Sequence, residues 1–210
     1  MLFANISSDK IQFILDGEET TIEHVDLEKT IAHFLNSKFK MQNSQSNKVF
    51  IINGPGSFTN LRIATLSLNM FNYLNNNSVD IYSIDKLTLY KKLYQKKLLP
   101  PIGYIYIGQK KNRRQIDLQT MEHSQILIHN SEMIDHNSAF FVDYVFDHSQ
   151  LENLHAQCVQ LGRVDEDLVV KFQWKESKVS LEELAINPVK SVEANYMMDA
   201  NITLLPTHKS

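Results

Sequence analysis

The sequence predicts an α/β fold built on a mixed sheet flanked by helices, and three observations carry that reading. Short strand-like runs open the chain, and helical and strand periodicities then alternate as far as residue 98. Pro100 and Pro101 interrupt the pattern and mark a boundary. Beyond them strand-like runs and then helical ones return in the same order, without any repeat at the level of residues. The organisation expected is two lobes, residues 1–98 and a reduced second lobe, residues 99–210.

Each element has a local reason. Residues 2–6 and 11–15 are short apolar runs separated by the turn-forming Ser7, Ser8, Asp9 and Lys10, so both read as strands. Asp16-Gly17 is a hairpin signal, and Thr20 to Ile22 begin a third strand. The period then lengthens: Leu27, Ile31, Phe34 and Leu35 recur at helical spacing over residues 26–39, with Asp26 and Glu28 where the helix dipole favours acids. Residues 49–52 form a fourth strand, residues 58–74 a second helix, residues 80–84 a fifth strand and residues 85–97 a third helix with late lysines. In the second half, residues 102–107, 115–119, 125–128 and 140–146 read as strands. Residues 150–161, 166–175 and 181–184 read as helices, and residues 201–210 as a fraying tail.

Composition limits the function classes. Hydrophobic residues make up 43% and charged residues 21%, as in ordinary soluble globular proteins. A net charge of −3 gives no strong field to draw the chain to nucleic acid or membrane. The single Cys158 excludes an internal disulfide and fits a reducing compartment. The first residues lack a basic region followed by a long apolar one, and no apolar run nears the ~18 residues that span a bilayer. A cytoplasmic location is expected.

The candidate site is the turn between the fourth strand and the second helix. Gly54 and Gly56 permit backbone angles that other residues avoid, Pro55 stiffens the link, and Ser57 or Thr59 can cap the helix. Free N–H groups and the positive helix end suit an anion there, a nucleotide phosphate for example. The simpler account is a well-capped turn, because no Lys-Ser/Thr pair follows the glycines as a P-loop requires. Arg62 is the one cation that the sequence places nearby.

The helix after the turn carries two apolar stripes: Leu61, Ala64, Leu68 and Phe71 on one face, and Ile63, Leu66, Met70 and Tyr73 on another. A helix packed only on its own sheet needs one stripe. Two stripes imply a second covering, either another lobe of this chain or a partner. The partner-facing candidates are Leu27, Ile31, Phe34, Leu35, Leu61, Ala64, Leu66, Leu68, Met70 and Phe71.

Other constellations are weak. His24 and His33 lack metal-ligand spacing, and His123, His129, His136, His148 and His155 are scattered, so surface histidines are the simpler account. Cys158 with His155 one turn earlier reads as a small buried residue rather than a nucleophile. The run from Lys110 to Arg114 reads as a solvated basic tip, with a nucleic-acid backbone contact as the lesser alternative. No metal site is expected.

Residues 53–63, Asn-Gly-Pro-Gly-Ser-Phe-Thr-Asn-Leu-Arg-Ile, resemble the G-P-G-S-F-T-G-L-R-I-G signature of the TsaB (YeaZ) family, bacterial partners in making threonylcarbamoyladenosine in tRNA. Looser likenesses cover the first seven residues (family I-L-A-I-D-T-S), His24 to Leu27, Ser83 to Leu87 and Ala194 to Met198. The resemblance implies the actin-like ATPase (ASKHA) fold, two ribonuclease-H-like lobes with mixed sheets flanked by helices. It also implies a non-catalytic role as the scaffold that pairs with TsaD, the transferase subunit, through a bundle made from the first two helices. A TsaE-like ATPase would join the wider complex, tRNA would be met indirectly, and ATP or ADP only within that complex.

The chain departs from the family at several places. Asn5 stands where a kinase-type member of the fold carries an acid, and Asn cannot supply a charge for a phosphate-bound Mg²⁺. Gly108-Gln-Lys110 replaces D-A-R, and Asn60 replaces a glycine. The H-x-x-x-H pair of TsaD is absent. The expectation is a divergent TsaB-like scaffold without turnover of its own, as a heterodimer or homodimer. Two readings stay open beside it: a small kinase or nucleotide hydrolase of the same fold, using Asp9 or Asp85, and an interaction module with another partner.

Overall fold

A computed structural model describes residues 1–7, 10–22, 26–37, 47–106, 113–126, 139–141, 159–164, 167–172 and 175–196. Strands β1 (Leu2–Asn5), β2 (Ile11–Leu15) and β3 (Glu18–Ile22) form an antiparallel meander. Asp16 and Gly17 join β2 to β3 with φ of 52° and 80°. That left-handed pair is what a two-residue hairpin needs and what Asp-Gly supplies. Helix α1 (Leu27–Ser37) follows, then β4 (Asn47–Ile52), parallel to β1. Helix α2 (Phe58–Leu74) leads to β5 (Val79–Ile84), parallel to β4, and α3 (Lys86–Gln95) closes this half. Asp85 caps α3: its Oδ1 accepts from Thr88 N at 2.9 Å.

Alternation along the strands sends successive side chains to opposite faces of the sheet. Leu2, Ala4, Val49, Ile51 and Ile81 pack with Leu27, Ile31, Phe34 and Leu35 of α1 and Leu61, Ala64 and Leu68 of α2. Phe13 and Phe34 stack there with ring centroids 4.5 Å apart. On the other face Phe3, Phe50, Ile52 and Ile84 pack with Leu87, Leu89, Tyr90 and Leu93 of α3. Ile105, Ile116, Leu161, Leu168, Val170 and Val179, all beyond residue 99, belong to that second cluster.

The later strands form two small sheets. β6 (Ile102–Tyr106), β7 (Arg113–Asp117) and β8 (His123–Ile126) make an antiparallel meander, and β9 (Ala139–Phe141) lies parallel to β6. Their order, β8-β7-β6-β9, repeats the order β3-β2-β1-β4 of the first sheet. β10 (Gln160–Val164), β11 (Asp167–Phe172) and β12 (Lys175–Ser180) make a second antiparallel meander. Finally β13 (Pro188–Val189) returns to the first sheet, antiparallel to β5 at its edge.

Three expectations for this half are corrected. Residues 167–172 are a strand, not a helix, and residues 160–161 belong to β10; residues 150–158 lie outside those described. Short apolar runs do not separate the two states by periodicity, and the β-branched Val169 and Val170 pair well across a ladder. Residues 181–185 form a turn rather than a helix. In the strand read over residues 140–146 only residues 140 and 141 are described, within β9. No helix among the described residues is long and apolar enough to cross a membrane.

The turn after β12 is held by a reciprocal pair. Ser180 N donates to Glu183 Oε2 at 2.9 Å, and Glu183 N donates to Ser180 Oγ at 3.1 Å. The Ser180 backbone N–H, and then Lys96 Nζ at 3.4 Å, hold the Glu183 carboxyl below its ordinary value. A depressed carboxylate adds stability that is fully present above its ordinary pKa and is lost as pH falls through the lowered one. An NMR titration should place the Glu183 midpoint below the ordinary Glu value, and Lys96→Met should move it upward. A midpoint unmoved by Lys96→Met would show that the ion pair does not form in solution.

Candidate functional site

The turn that the sequence singles out lies where β1, β4 and β5 end side by side. Ile6 N donates to Ile52 O at 3.2 Å, Asn53 N to Ile84 O at 3.0 Å, and Lys86 N to Gly54 O at 2.6 Å. The backbone from residue 53 to residue 57 is thereby tied to the start of α3 and to the end of β1. A fourth segment, residues 188–196, crosses the same place, with Asn195 N donating to Asn53 O at 2.9 Å.

The glycines are explained by how closely these chains approach. A Cβ on Gly54 would run into Asn195 O, and one on Gly56 into Ser7 O. Gly54 also has φ 134°, which L side chains rarely adopt, and its bond to Pro55 is cis. Ser57 occupies the N-cap position with φ −60° and ψ 122° but makes no side-chain cap bond. Its carbonyl accepts from Leu61 N at 2.9 Å. Thr59 is inside the helix and exposed, so neither hydroxyl serves as the expected cap.

Arg62 is exposed, and a buried cation beside the turn is Lys86, 3% exposed, whose Nζ donates to Ser7 O at 3.0 Å. The sequence hid this contact because the two residues are 79 positions apart. Asn5 is fully buried, and its Oδ1 accepts from Ser7 N at 3.1 Å and Ser7 Oγ at 2.6 Å. Of the two carboxylates considered for chemistry, Asp85 caps α3, and Asp9 lies outside the described residues.

The glycine Cα atoms lie close to the carbonyl oxygens of Asn195 and Ser7. Among the described residues no group of three or more His, Cys, Asp or Glu side chains is placed to hold a metal ion. His33 is exposed on α1 and His123 opens β8. His24, His129, His136, His148, His155, Cys158, Lys110 and Lys111 lie outside the described residues, while Arg113 and Arg114 of the expected basic tip belong to β7.

The partner-facing candidates divide sharply. Leu27, Ile31, Phe34, Leu35, Leu61, Ala64 and Leu68 are all buried in this chain's own core, where the sheet, α1 and α2 meet. They are unavailable to a second molecule, and their selection from the sequence is corrected. Phe71 is half-buried against the same cluster. Leu66 and Met70 are 66% and 61% exposed, and Tyr73 and Leu74 beside them 74% and 71%. The outer stripe of α2 is therefore an apolar ridge facing solvent. At the helix start, two turns before Leu66 and beyond the exposed Arg62, Phe58 is 61% exposed and stacks on Tyr196 with ring centroids 4.7 Å apart. The outer face of α1 carries Glu28, Lys29, Thr30, His33 and Asn36 and adds little apolar surface.

Sequence reasoning missed a set of asparagines. Asn53, Asn69 and Asn72 bind the backbone of residues 190–193 with their side chains. The only trace of this in the sequence is a pair of amides three apart, Asn69 and Asn72, in the second half of the helix.

No protein-family model matches the chain, and no curated protein matches it. Among solved structures, YeaZ from Pseudomonas aeruginosa is similar over 67% of this chain and 73% of its own, with 14% identity and a TM-score of 0.37. A second, described as an uncharacterized protein with similarity to peptidase YEAZ from Pseudomonas aeruginosa, is similar over 68% of this chain and 74% of its own, with 15% identity and a TM-score of 0.34. At such overlap neither likeness bears on the site, whose reading stands on this chain's own geometry.

The closeness of the turn gives a direct test. Gly56→Ala should destabilise the chain by roughly 1–3 kcal/mol or more, because the obstacle is backbone. Gly162→Ala, with nothing within 4 Å, should be neutral or stabilise by up to about 1 kcal/mol. Denaturant midpoints of the two variants provide the comparison, and equal midpoints would refute the close approach at Gly56.

Proposed function

We propose that this chain is a non-catalytic partner subunit that pairs with a TsaD-like transferase in threonylcarbamoyl transfer to tRNA. The observation that carries the pairing is the outward ridge of Leu66, Met70, Tyr73 and Leu74 on α2. Contiguous exposed apolar side chains on one helix face mark interaction surfaces, whereas scattered ones do not. The identity of the partner comes from the likeness of residues 53–63 to the TsaB signature. The recurrence of the β3-β2-β1-β4 order as β8-β7-β6-β9 supports the two-lobed, ribonuclease-H-like reading behind that family.

On this reading the chain turns over no substrate and holds no nucleotide by itself; a TsaE-like ATPase, ATP and tRNA belong to the wider complex. Self-association through the same ridge is the competing occupancy. The small-kinase alternative is weakened by the cap that engages Asp85 and by the neutral Asn5. The ridge is also what an interaction module with a different partner would use, so the partner must be tested by name.

Leu66→Glu and Leu68→Glu separate surface from core. Leu66→Glu should leave the chain folded and abolish binding to the TsaD-like subunit, because a specific interface of about 1,200–2,000 Å² tolerates no unpaired charge at its centre. Leu68→Glu, at a position 2% exposed, should cost the fold itself on the order of 3–5 kcal/mol. Titration calorimetry with the purified subunit, alongside thermal melts and sedimentation of the chain alone, reads all three quantities. A folded Leu66→Glu variant that binds like the parent would overturn the proposal.

A further inference from the structure

The ridge has a neighbour on the same helix. Residues 188–196 run along α2 as an extended strap, starting from the two-residue strand β13 on the edge of β5. Its one deeply buried side chain is Val192, 3% exposed, within the cluster under α2. Its backbone is held largely by side-chain amides. Asn69 makes a reciprocal pair with Val192: Val192 N donates to Asn69 Oδ1 at 2.8 Å, and Asn69 Nδ2 donates to Val192 O at 2.9 Å. Asn72 Nδ2 donates to Lys190 O at 2.9 Å, while its Oδ1 accepts from Val79 N at 3.0 Å. Asn53 Nδ2 donates to Glu193 O at 2.7 Å, and Asn195 N returns to Asn53 O at 2.9 Å.

The arrangement has a physical logic. A helix has satisfied its own backbone groups and presents no ladder to an extended chain. A primary amide offers one acceptor and two donors, so it stands in for a neighbouring strand. Two of these asparagines each sit one position before a ridge residue, Asn69 before Met70 and Asn72 before Tyr73. Tyr196, the last described residue of the strap, stacks on Phe58 at the start of α2.

We propose that the strap is part of the partner face: Asn53, Asn69 and Asn72 are positioning residues that seat residues 188–196 beside the ridge, and partner binding depends on that seating. The inference rests on the pairing proposed above. It extends the face from one helix to a helix and a strap that also touches the glycine turn. A partner seated on Leu66 and Met70 meets the strap as the adjoining wall, with Tyr196 as its aromatic end.

The test uses the full chain with the double substitution Asn69→Asp and Asn72→Asp. A carboxylate keeps the oxygen that accepts from Val192 N and from Val79 N, but it loses the donors and sets negative charge against the carbonyls of Val192 and Lys190. Hydrogen exchange of the isolated variant should show the Val192 and Asn195 amides exchanging at least ~10-fold faster, with β1 and β4 unchanged. Affinity for the TsaD-like subunit should fall about 10-fold. Tyr196→Ala should weaken binding while leaving Val192 protected, and Tyr196→Phe should bind like the parent. Release of the strap with unchanged affinity overturns the inference, and so does a strap that stays protected in the double variant. Failure of the pairing proposal shows itself separately, as a folded Leu66→Glu chain that still binds, and the inference falls with it.

Discussion

Two carbonyl oxygens, those of Ser7 and Asn195, occupy the space that side chains at residues 56 and 54 would fill. That crowding is the constraint on which the rest of the molecule turns. It fixes the end of β1 against the start of α2 and brings a segment from the far end of the chain onto the same spot. Because α2 starts there, the position and rotation of the whole helix follow from it, and with them the choice of which stripe is buried. Lys86 reinforces the arrangement from the third side by donating to Ser7 O, which ties α3 to the same junction.

Once α2 is seated, burial decides its faces. Leu61, Ala64 and Leu68 are within 2% of complete burial, and each leucine so placed contributes about 1.5–3 kcal/mol, the single methyl of Ala64 less. The stripe of Leu66, Met70 and Tyr73 receives no such contribution from the described residues. A helix could lower its aggregation risk by making these positions polar, as α1 does with Glu28, Lys29 and Asn36 on its own outer face. The contrast between two adjacent helices on one face of one sheet makes the ridge on α2 informative rather than incidental.

Much of the first half was legible in the sequence because its signals are local. Asp16-Gly17 specified the hairpin, the spacing of Leu27, Ile31, Phe34 and Leu35 specified α1, and the glycine turn between an apolar run and a helical pattern specified the passage from β4 to α2. Periodicity gave the two stripes of α2 but not their direction, which depends on how the helix rolls on the sheet. The partner-facing residues were for that reason mixed with core residues. Of the later strands, β6, β7 and β8 were read as strands, but the start of β10 and all of β11 were read as helices, because short runs such as Leu168-Val-Val170 suit either state until a neighbouring strand is present. The strap could not be read at all. Its contacts join residues more than 100 positions apart through single side chains, and such contacts leave no periodic trace.

Asn5 shows how the junction and the proposed role agree. An acid at this position would also accept from Ser7 N and Ser7 Oγ, so the turn after β1 does not by itself demand an amide. The position is fully buried, however, and an ionised carboxylate there would carry a desolvation cost that only a cation or a metal could offset. The nearby Lys86 amine is directed at Ser7 O. A neutral amide keeps both turn bonds and removes the need for a counter-charge, at the cost of a buried Nδ2 that has no hydrogen-bond partner among the described residues. It thus preserves the geometry that orders α2 and the strap, and it relinquishes the charge that ion-dependent chemistry would use.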